Sequence, residues 1–212
     1  MSSPQPQLKA TARARNKRGA AANAQLIEAA IRLFAERGYN GTSIAEIAAE
    51  AGVAKPSVLY HFADKEALWI AAVESLWAEV DRFFADNWPA TVSPSRALLE
   101  AILDLFIDAA IRWPAYIRIP FIEGATPSWR SEWLVDRHFA SHVTTTDRIL
   151  RAMQRKGQLG NGDPVHFQAM MSSSINVIVA QSAMWNRTFE RRFDDAASLK
   201  QLARLTLDKM LE

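Results

Sequence analysis

Residues 42–62, TSIAEIAAEAGVAKPSVLYHF, decide the fold of this 212-residue chain. Ser43 and Glu46 have the spacing of a capping box, so the stretch predicts a short helix that begins there. Gly52 allows a tight turn, and Pro56 stands near the start of the next helix, where the missing proline N–H costs little. Small or compact side chains allow two helices to cross closely here: Ala48, Ala49 and Val53. The stretch therefore predicts a helix-turn-helix.

The second helix of this pair, about residues 55–62, begins with short polar or basic side chains. In a DNA-binding helix-turn-helix, that helix lies in the major groove with its first residues against base edges. The charge distribution agrees, since residues 1–65 carry nine Lys or Arg against five Asp or Glu. We expect residues 1–17 to form a disordered basic arm. Its charge suits DNA, because neutralised phosphates release counterions, but it equally suits a solubilising tail.

The rest of the chain predicts one helix after another, with no sustained two-residue alternation of the kind that a strand needs. Apolar spacing and capping signals place the first helix at about 19–37 and a long fourth helix from Asp64 to about Asn87. Further helices are expected at about 95–113, 115–123, 128–156, 164–186 and 198–211. The predicted fold class is all-α, with a disordered arm (1–17), a three-helix DNA-binding domain (18–64) and a larger helical domain (65–212).

Several classes of protein are disfavoured. The chain has no cysteine, which excludes a disulfide framework, a thiolate metal site and a thiol nucleophile. Its start lacks the apolar stretch of a signal peptide and no run approaches 18 apolar residues, which predicts a cytoplasmic protein without a membrane partner. Without a Gly-rich phosphate loop or a nucleophile elbow, neither an enzyme nor a cofactor is predicted. His138 and His142 have a spacing compatible with a metal, but no third ligand is evident and no metal site is predicted.

With FADKEALW (62–69) after it, the helix-turn-helix segment resembles the N-terminal domain of the tetracycline-repressor (TetR) family of bacterial regulators. The resemblance rests on Phe34, Gly38, Tyr39, Thr42, Ile47, Ala48, Ala51, Gly52, Val53, Phe62, Lys65, Glu66 and Leu68. The remainder of the chain matches in helical layout only. Leu59 followed by Tyr60 departs from the common pattern. Together with residues 113–127, it resembles a subgroup that includes the pyrimidine-utilisation regulators.

The resemblance implies which residues face double-stranded operator DNA: Thr42, Lys55, Ser57, Tyr60, His61 and Lys65. Thr42 and Lys65 are expected at helix N-termini, where a hydroxyl or an ammonium group can meet a phosphate. Ser57 is the candidate base-edge contact, whereas Tyr60 and His61 are expected to bond phosphates. The alternative is that Tyr60 or His61 packs inside the small domain.

The resemblance also implies that residues 65–212 form a ligand-binding and dimerisation domain. Aromatic side chains around two amides predict the effector pocket: Trp113, Phe121, Asn176, Gln181 and Trp185. Residues 170–184 contain no charge, so we expect this helix to be covered on both sides, by the pocket and by a second subunit. The predicted interface of the homodimer consists of Met171, Ile175, Val179, Leu202 and Leu205. For any single aromatic residue, a place in the ordinary core is the alternative.

Two functions remain open at this point. The first is a dimeric transcriptional regulator of the repressor type, whose affinity for operator DNA is set by a small-molecule effector. The resemblance implies that its two recognition helices match major grooves about 34–36 Å apart, and that a filled pocket changes this separation by tilting the fourth helix. The second is a constitutive DNA-binding or protein-interaction module whose helical core is solid and binds no effector.

Overall fold

The computed structural model describes residues 5–90 and 93–211, and within them the chain is built from helices. The α-helices are α1 (Gln5–Arg37), α2 (Ile44–Glu50), α3 (Lys55–His61), α4 (Lys65–Asn87), α5 (Arg96–Arg112), α6 (Pro114–Glu123), α7 (Trp129–Leu134), α8 (Ala140–Arg155), α9 (Pro164–Ala180), α10 (Ser182–Thr188) and α11 (Ala196–Leu211). A π-helical turn, Val135–Phe139, joins α7 to α8. No strand occurs in the described ranges, and the predicted all-α class is confirmed.

The helices form two compact units that divide between Ser75 and Leu76, within α4. We call them the N-terminal unit and the C-terminal unit. The sequence places this boundary earlier, after residue 64. The division lies later because Leu68 and Trp69 are fully buried, and Trp69 meets the ring of Tyr39 edge-on with the centroids 6.4 Å apart. The first turns of α4 are therefore part of the N-terminal core.

Helix α1 begins at Gln5, whereas the sequence predicts a helix from about Gly19 after a disordered arm. The difference has a physical reason. Residues 8–24 are rich in Ala, Arg and Lys, which have high intrinsic helix propensity, and they contain no proline. The backbone of residues 5–17 is therefore helical, and residues 1–4 of the predicted arm lie outside the described residues.

The N-terminal unit closes around side chains from its first four helices. The large side chains that are fully buried there are Leu26, Phe34, Ile47, Val58, Leu68 and Trp69. The predicted capping box is present, since the N–H of Glu46 donates to the Ser43 hydroxyl and the N–H of Ser43 donates to the Glu46 carboxylate. Gly52 has a φ of +67°, a left-handed conformation that favours glycine. Local signals thus fix the turn between α2 and α3.

In the C-terminal unit, α9 packs against α6, α8 and α11, and α11 also packs against α5. The large side chains fully buried there include Trp77, Leu99, Ile107, Ile119, Leu150, Met153 and Ile175. A buried ion pair joins Arg130 Nε to Glu123 Oε2 at 2.5 Å and ties the start of α7 to the end of α6. The helix predicted at 164–186 is broken at Gln181 into α9 and α10. None of the helices in residues 5–90 and 93–211 is long and apolar enough to span a membrane.

Candidate functional site

One face of α3 is open to solvent in the N-terminal unit. Val58 is fully buried and anchors the helix, whereas Tyr60 is 84% exposed. Lys55 is exposed at the first position of α3, and Ser57 is half-buried two residues later. A short helix that is anchored on one side and presents ammonium and hydroxyl groups on the other has the form needed to enter a groove of DNA.

Tyr60 and His61 lie at the C-terminal end of α3. Their rings meet edge-on with centroids 5.2 Å apart, and the His61 ring lies 6.4 Å from that of Phe62. The high exposure of Tyr60 rules out the alternative in which this residue packs inside the unit. His61 is half-buried, so part of its ring contributes to the unit and part faces solvent. The Tyr60 ring therefore projects from the surface that α3 presents.

Thr42 does not lie as the sequence predicts. Its side chain is buried, and its hydroxyl donates to the carbonyl oxygen of Gly38 at 2.9 Å. The same hydroxyl lies 3.3 Å from the carbonyl oxygen of Leu33. A hydroxyl that donates inward cannot donate to a phosphate, so the predicted phosphate contact is corrected to a structural role. Thr42 fastens the loop between α1 and α2 to the end of α1.

Lys65 connects two helix starts within the N-terminal unit. Its Nζ donates to the carbonyl oxygen of Thr42 at 2.8 Å and lies 4.1 Å from the centroid of the Tyr39 ring. Cation–π and hydrogen-bonding contacts of this kind stabilise a half-buried ammonium group. A depression of about 450 Å³ adjoins it, lined by residues 40–46, Lys55 and Lys65. A phosphate contact by Lys65 stays a prediction, and it would have to share the ammonium with these partners.

The C-terminal unit contains a cavity of about 710 Å³. Its walls come from the end of α4 and from α5, α6, α8 and α9, together with Phe139. The aromatic residues that line it are Phe84, Trp88, Phe106, Tyr116, Phe121 and Phe139. The polar residues that line it are Asp81, His142, Thr145, Thr146, Gln168, Ser172 and Asn176. This combination, an apolar chamber with a few polar groups, is typical of small-molecule sites between the helices of a bundle.

Four polar groups characterise the cavity. The Oδ1 atom of Asn176 is buried and has no hydrogen-bond partner within the described residues. His142 Nε2 lies 3.7 Å from Asp81 Oδ1, too far for a hydrogen bond. Burial raises the pKa of the Tyr116 hydroxyl far above its ordinary value, and the negative charge of Asp81 raises it further. The phenol therefore stays neutral, and the Asp81 carboxylate is close enough to act on it.

The structure brings only part of the predicted pocket together. Phe121 and Asn176 line the cavity, whereas Trp113, Gln181 and Trp185 do not. Trp113 lies outside because its indole N–H donates to the Glu79 carboxylate at 2.9 Å. The prediction that these three residues line the pocket is therefore wrong, and they lie elsewhere in the unit.

Trp185 stacks on Phe189, with centroids 5.6 Å apart, in a separate aromatic cluster after the break at Gln181. Sequence reasoning missed Trp88 and Tyr116 as cavity residues, along with Asp81. The apolar residues of α4, which include Phe83 and Phe84, are the signal that could have found this region, because a wide apolar stripe needs packing partners on two sides.

The predicted dimer interface also needs correction. Met171, Ile175 and Val179 are buried inside the chain itself, so they are not available to a second subunit. They pack inward because α9 contacts α6, α8 and α11 on that side. Of the two residues predicted on α11, Leu202 is half-buried and Leu205 is 55% exposed. The apolar side chains that α9 and α10 leave exposed are others: Val165, Met170 and Met184.

Known proteins share these features. Residues 26–72 match the family described as "Bacterial regulatory proteins, tetR family". The HTH-type transcriptional activator FasR of Mycolicibacterium smegmatis is 35% identical over 187 residues, which cover 83% of this chain and 77% of FasR. The chain belongs to the TetR family of bacterial regulators. The family predicted from the helix-turn-helix is thus confirmed.

Membership of the TetR family makes the chain a DNA-binding transcriptional regulator and not an enzyme. The regulator RutR of Escherichia coli K12 is 27% identical over 154 residues, 70% of this chain and 69% of RutR, and agrees with the subgroup that the sequence resembles. The match to the repressor AcnR of Corynebacterium diphtheriae is 26% identical over 138 residues, 64% of this chain and 65% of AcnR.

Among solved structures, a putative fatty acid metabolism regulator from Clostridium perfringens superposes with a TM-score of 0.66 at 19% identity. The superposition covers 88% of this chain and 96% of that one. At this identity the likeness concerns the fold alone, and it includes helices of the C-terminal unit as well as the helix-turn-helix.

Proposed function

We propose that this TetR-family regulator is a homodimeric repressor whose affinity for operator DNA changes when a small molecule fills the cavity of the C-terminal unit. The observation that carries the proposal is the cavity itself, about 710 Å³ lined by aromatic and polar side chains. A constitutive module with a solid core, the alternative function, has no use for such a chamber. Repression is favoured because AcnR is named a repressor and IcaR of Staphylococcus epidermidis a negative regulator.

Recognition of DNA is assigned to α3 and to the depression beside it. Lys55 and Tyr60 are exposed, and both carry groups that bond phosphates. A phosphate seated in the depression would meet Lys55 and the region of Lys65 together. Ser57 keeps its predicted role as the base-edge contact, because it lies in the first turn of α3, the part of a recognition helix that approaches the bases.

The homodimer interface is assigned to the exposed apolar side chains of α9, α10 and α11. Met170, Met184 and Leu205 are each at least half exposed, although α9 carries no Lys, Arg, Asp or Glu. Uncharged, apolar helix surfaces of this kind are typical of subunit interfaces. A two-fold arrangement would cover each of these side chains twice, once on each subunit.

Asn176 supports an effector role for the cavity. A buried amide oxygen without a partner costs free energy, and a ligand that donates a hydrogen bond to it would recover that cost. The same ligand would cover the aromatic walls. A ligand changes the affinity for DNA only if it binds the DNA-competent and incompetent states differently. The cavity thus provides the binding energy from which such a difference can arise.

The test is a substitution that fills the cavity without disturbing the core. Ala85 lines the cavity but is itself exposed, so Ala85→Trp can place an indole in the chamber while the fold tolerates it. Operator fragments are first selected from a random DNA library with the purified protein, and compounds that weaken their binding are then identified by fluorescence anisotropy.

Ala85→Trp should keep the operator affinity of the parent and lose the response to every active compound. Ala125→Trp, which adds the same side chain at an exposed position outside the cavity and outside α9 to α11, should keep both. An unaltered response in Ala85→Trp would show that the effector binds elsewhere.

A further inference from the structure

The charge of the cavity wall is one-sided. Asp81 is its one carboxylate, and no Lys or Arg stands among the described residues that line it. Nε2 of His142, the lining imidazole, lies 3.7 Å from Asp81 Oδ1, beyond hydrogen-bond distance, and it offsets that charge only when it is protonated. The Asp81 side chain is 53% exposed, which means that water solvates it while the cavity is empty of ligand.

A ligand that enters must replace this water. Covering a carboxylate with an apolar group costs free energy unless a charged or hydrogen-bonding partner takes the place of the water. An anionic ligand would increase this free-energy cost, because its charge would face Asp81 and no lysine or arginine among the described lining residues would offset the repulsion. A protonated amine, in contrast, offers both the charge and the N–H donors that the carboxylate accepts.

The remaining wall also favours a cation. Six aromatic rings line the cavity, and the faces of aromatic rings attract cations. The buried Oδ1 atom of Asn176 accepts hydrogen bonds and has no partner, so it favours a ligand with a donor. A volume of about 710 Å³ lies within the range that holds drug-sized organic molecules.

We propose that the cavity selects a small organic cation, a protonated amine on an aromatic or alkyl body, with its ammonium group at Asp81. The inference rests on the proposed function, since it names the ligand class of the same cavity. This ligand class differs from that of a regulator whose effector carries a carboxylate or a phosphate group, because such a ligand would bring negative charge to Asp81. The selectivity therefore resides in one side chain that can be changed.

Three probes that share one body test the proposal: 4-butylbenzylamine, 4-butylbenzyl alcohol and 4-butylbenzoate. Their dissociation constants for the full-length protein are measured by isothermal titration calorimetry. The amine should bind more tightly than the alcohol by about tenfold, the effect of one partly exposed charge pair, and the benzoate should bind most weakly. Asp81→Asn should bring the amine to the affinity of the alcohol and leave the alcohol unchanged.

Asp86→Asn serves as the matched control, because Asp86 is an exposed carboxylate on the same helix that does not line the cavity. It should leave all three affinities as in the parent. Benzoate that binds as tightly as the amine, or an equal effect of the two Asn variants, would overturn the cation proposal while alcohol binding upholds the cavity as a ligand site. If none of the three probes binds, the cavity loses its role as a ligand site, and the proposed function fails together with the cation proposal.

Discussion

Met170→Glu tests where the two subunits meet. The parent side chain is 50% exposed on α9, so covering it in a dimer contributes about 1 kcal/mol per copy, half of what a fully buried methionine contributes. A glutamate there loses this contribution and adds about 2 kcal/mol of desolvation per copy, even if some water remains. Because a two-fold interface contains the position twice, the dimer should be weakened by about 6 kcal/mol, roughly four orders of magnitude in its dissociation constant.

Sedimentation equilibrium measures the outcome directly. The parent protein should sediment as a dimer at low micromolar concentration, and Met170→Glu as a folded monomer with the helical circular dichroism of the parent. Val135→Glu is the control, because Val135 is 53% exposed in the π turn, which packs against α7 and α8. It should remain dimeric. A folded, dimeric Met170→Glu would refute the assignment of this surface.

Three further predictions concern DNA, stability and the cavity. Lys55→Ala should weaken binding to all DNA sequences about equally and flatten the salt dependence by roughly one unit, as measured by anisotropy between low and moderate salt. Thr42→Val should instead lower the free energy of unfolding by about 1–2 kcal/mol in urea titration and leave the salt dependence unchanged, since its hydroxyl donates inward. Asn176→Leu should raise the melting temperature by about 2–4 °C by removing a buried unpaired oxygen, and should abolish the effector response; a lower melting temperature would mean that the amide is satisfied in the core.

The helix-turn-helix is predictable from the sequence because its determinants are local. The Ser43 and Glu46 capping box is formed within four residues of chain, and the left-handed turn at Gly52 needs only the absence of a side chain. For Tyr60, the resemblance to the TetR family implies an exposed side chain, and the structure agrees, since the buried Val58 fixes which side of α3 faces inward. Signals that act over a few residues can be read from the sequence because they do not depend on the packing of the rest of the chain.

The face that α9 turns inward could not be derived in this way. The helix carries no Asp, Glu, Lys or Arg, so no charged face marks the outside, and helical spacing alone does not select the inward side. Packing against α6, α8 and α11 makes the choice and buries Ile175 rather than Met170. Trp113 shows the same limit, because an aromatic residue in the sequence indicates that its ring needs packing partners but does not indicate which residues they are. In this case they are Glu79 and the guanidinium group of Arg112.

The π turn at Val135–Phe139 determines which side of α8 faces the interior. The N–H of Ala140 bonds to the carbonyl of Val135, five residues back, so the turn holds one residue more than an α-helical turn. One residue corresponds to about 100° of rotation, and α8 therefore presents a different side than a straight continuation of α7 would. Counted onward from the buried Leu134 at a spacing of four, an uninterrupted helix would place His138 next on that side, whereas the extra residue places Phe139 there, and Phe139 lines the cavity. A one-residue deletion within the turn would keep the length and composition of α8, but it would turn a different side of α8 toward the cavity.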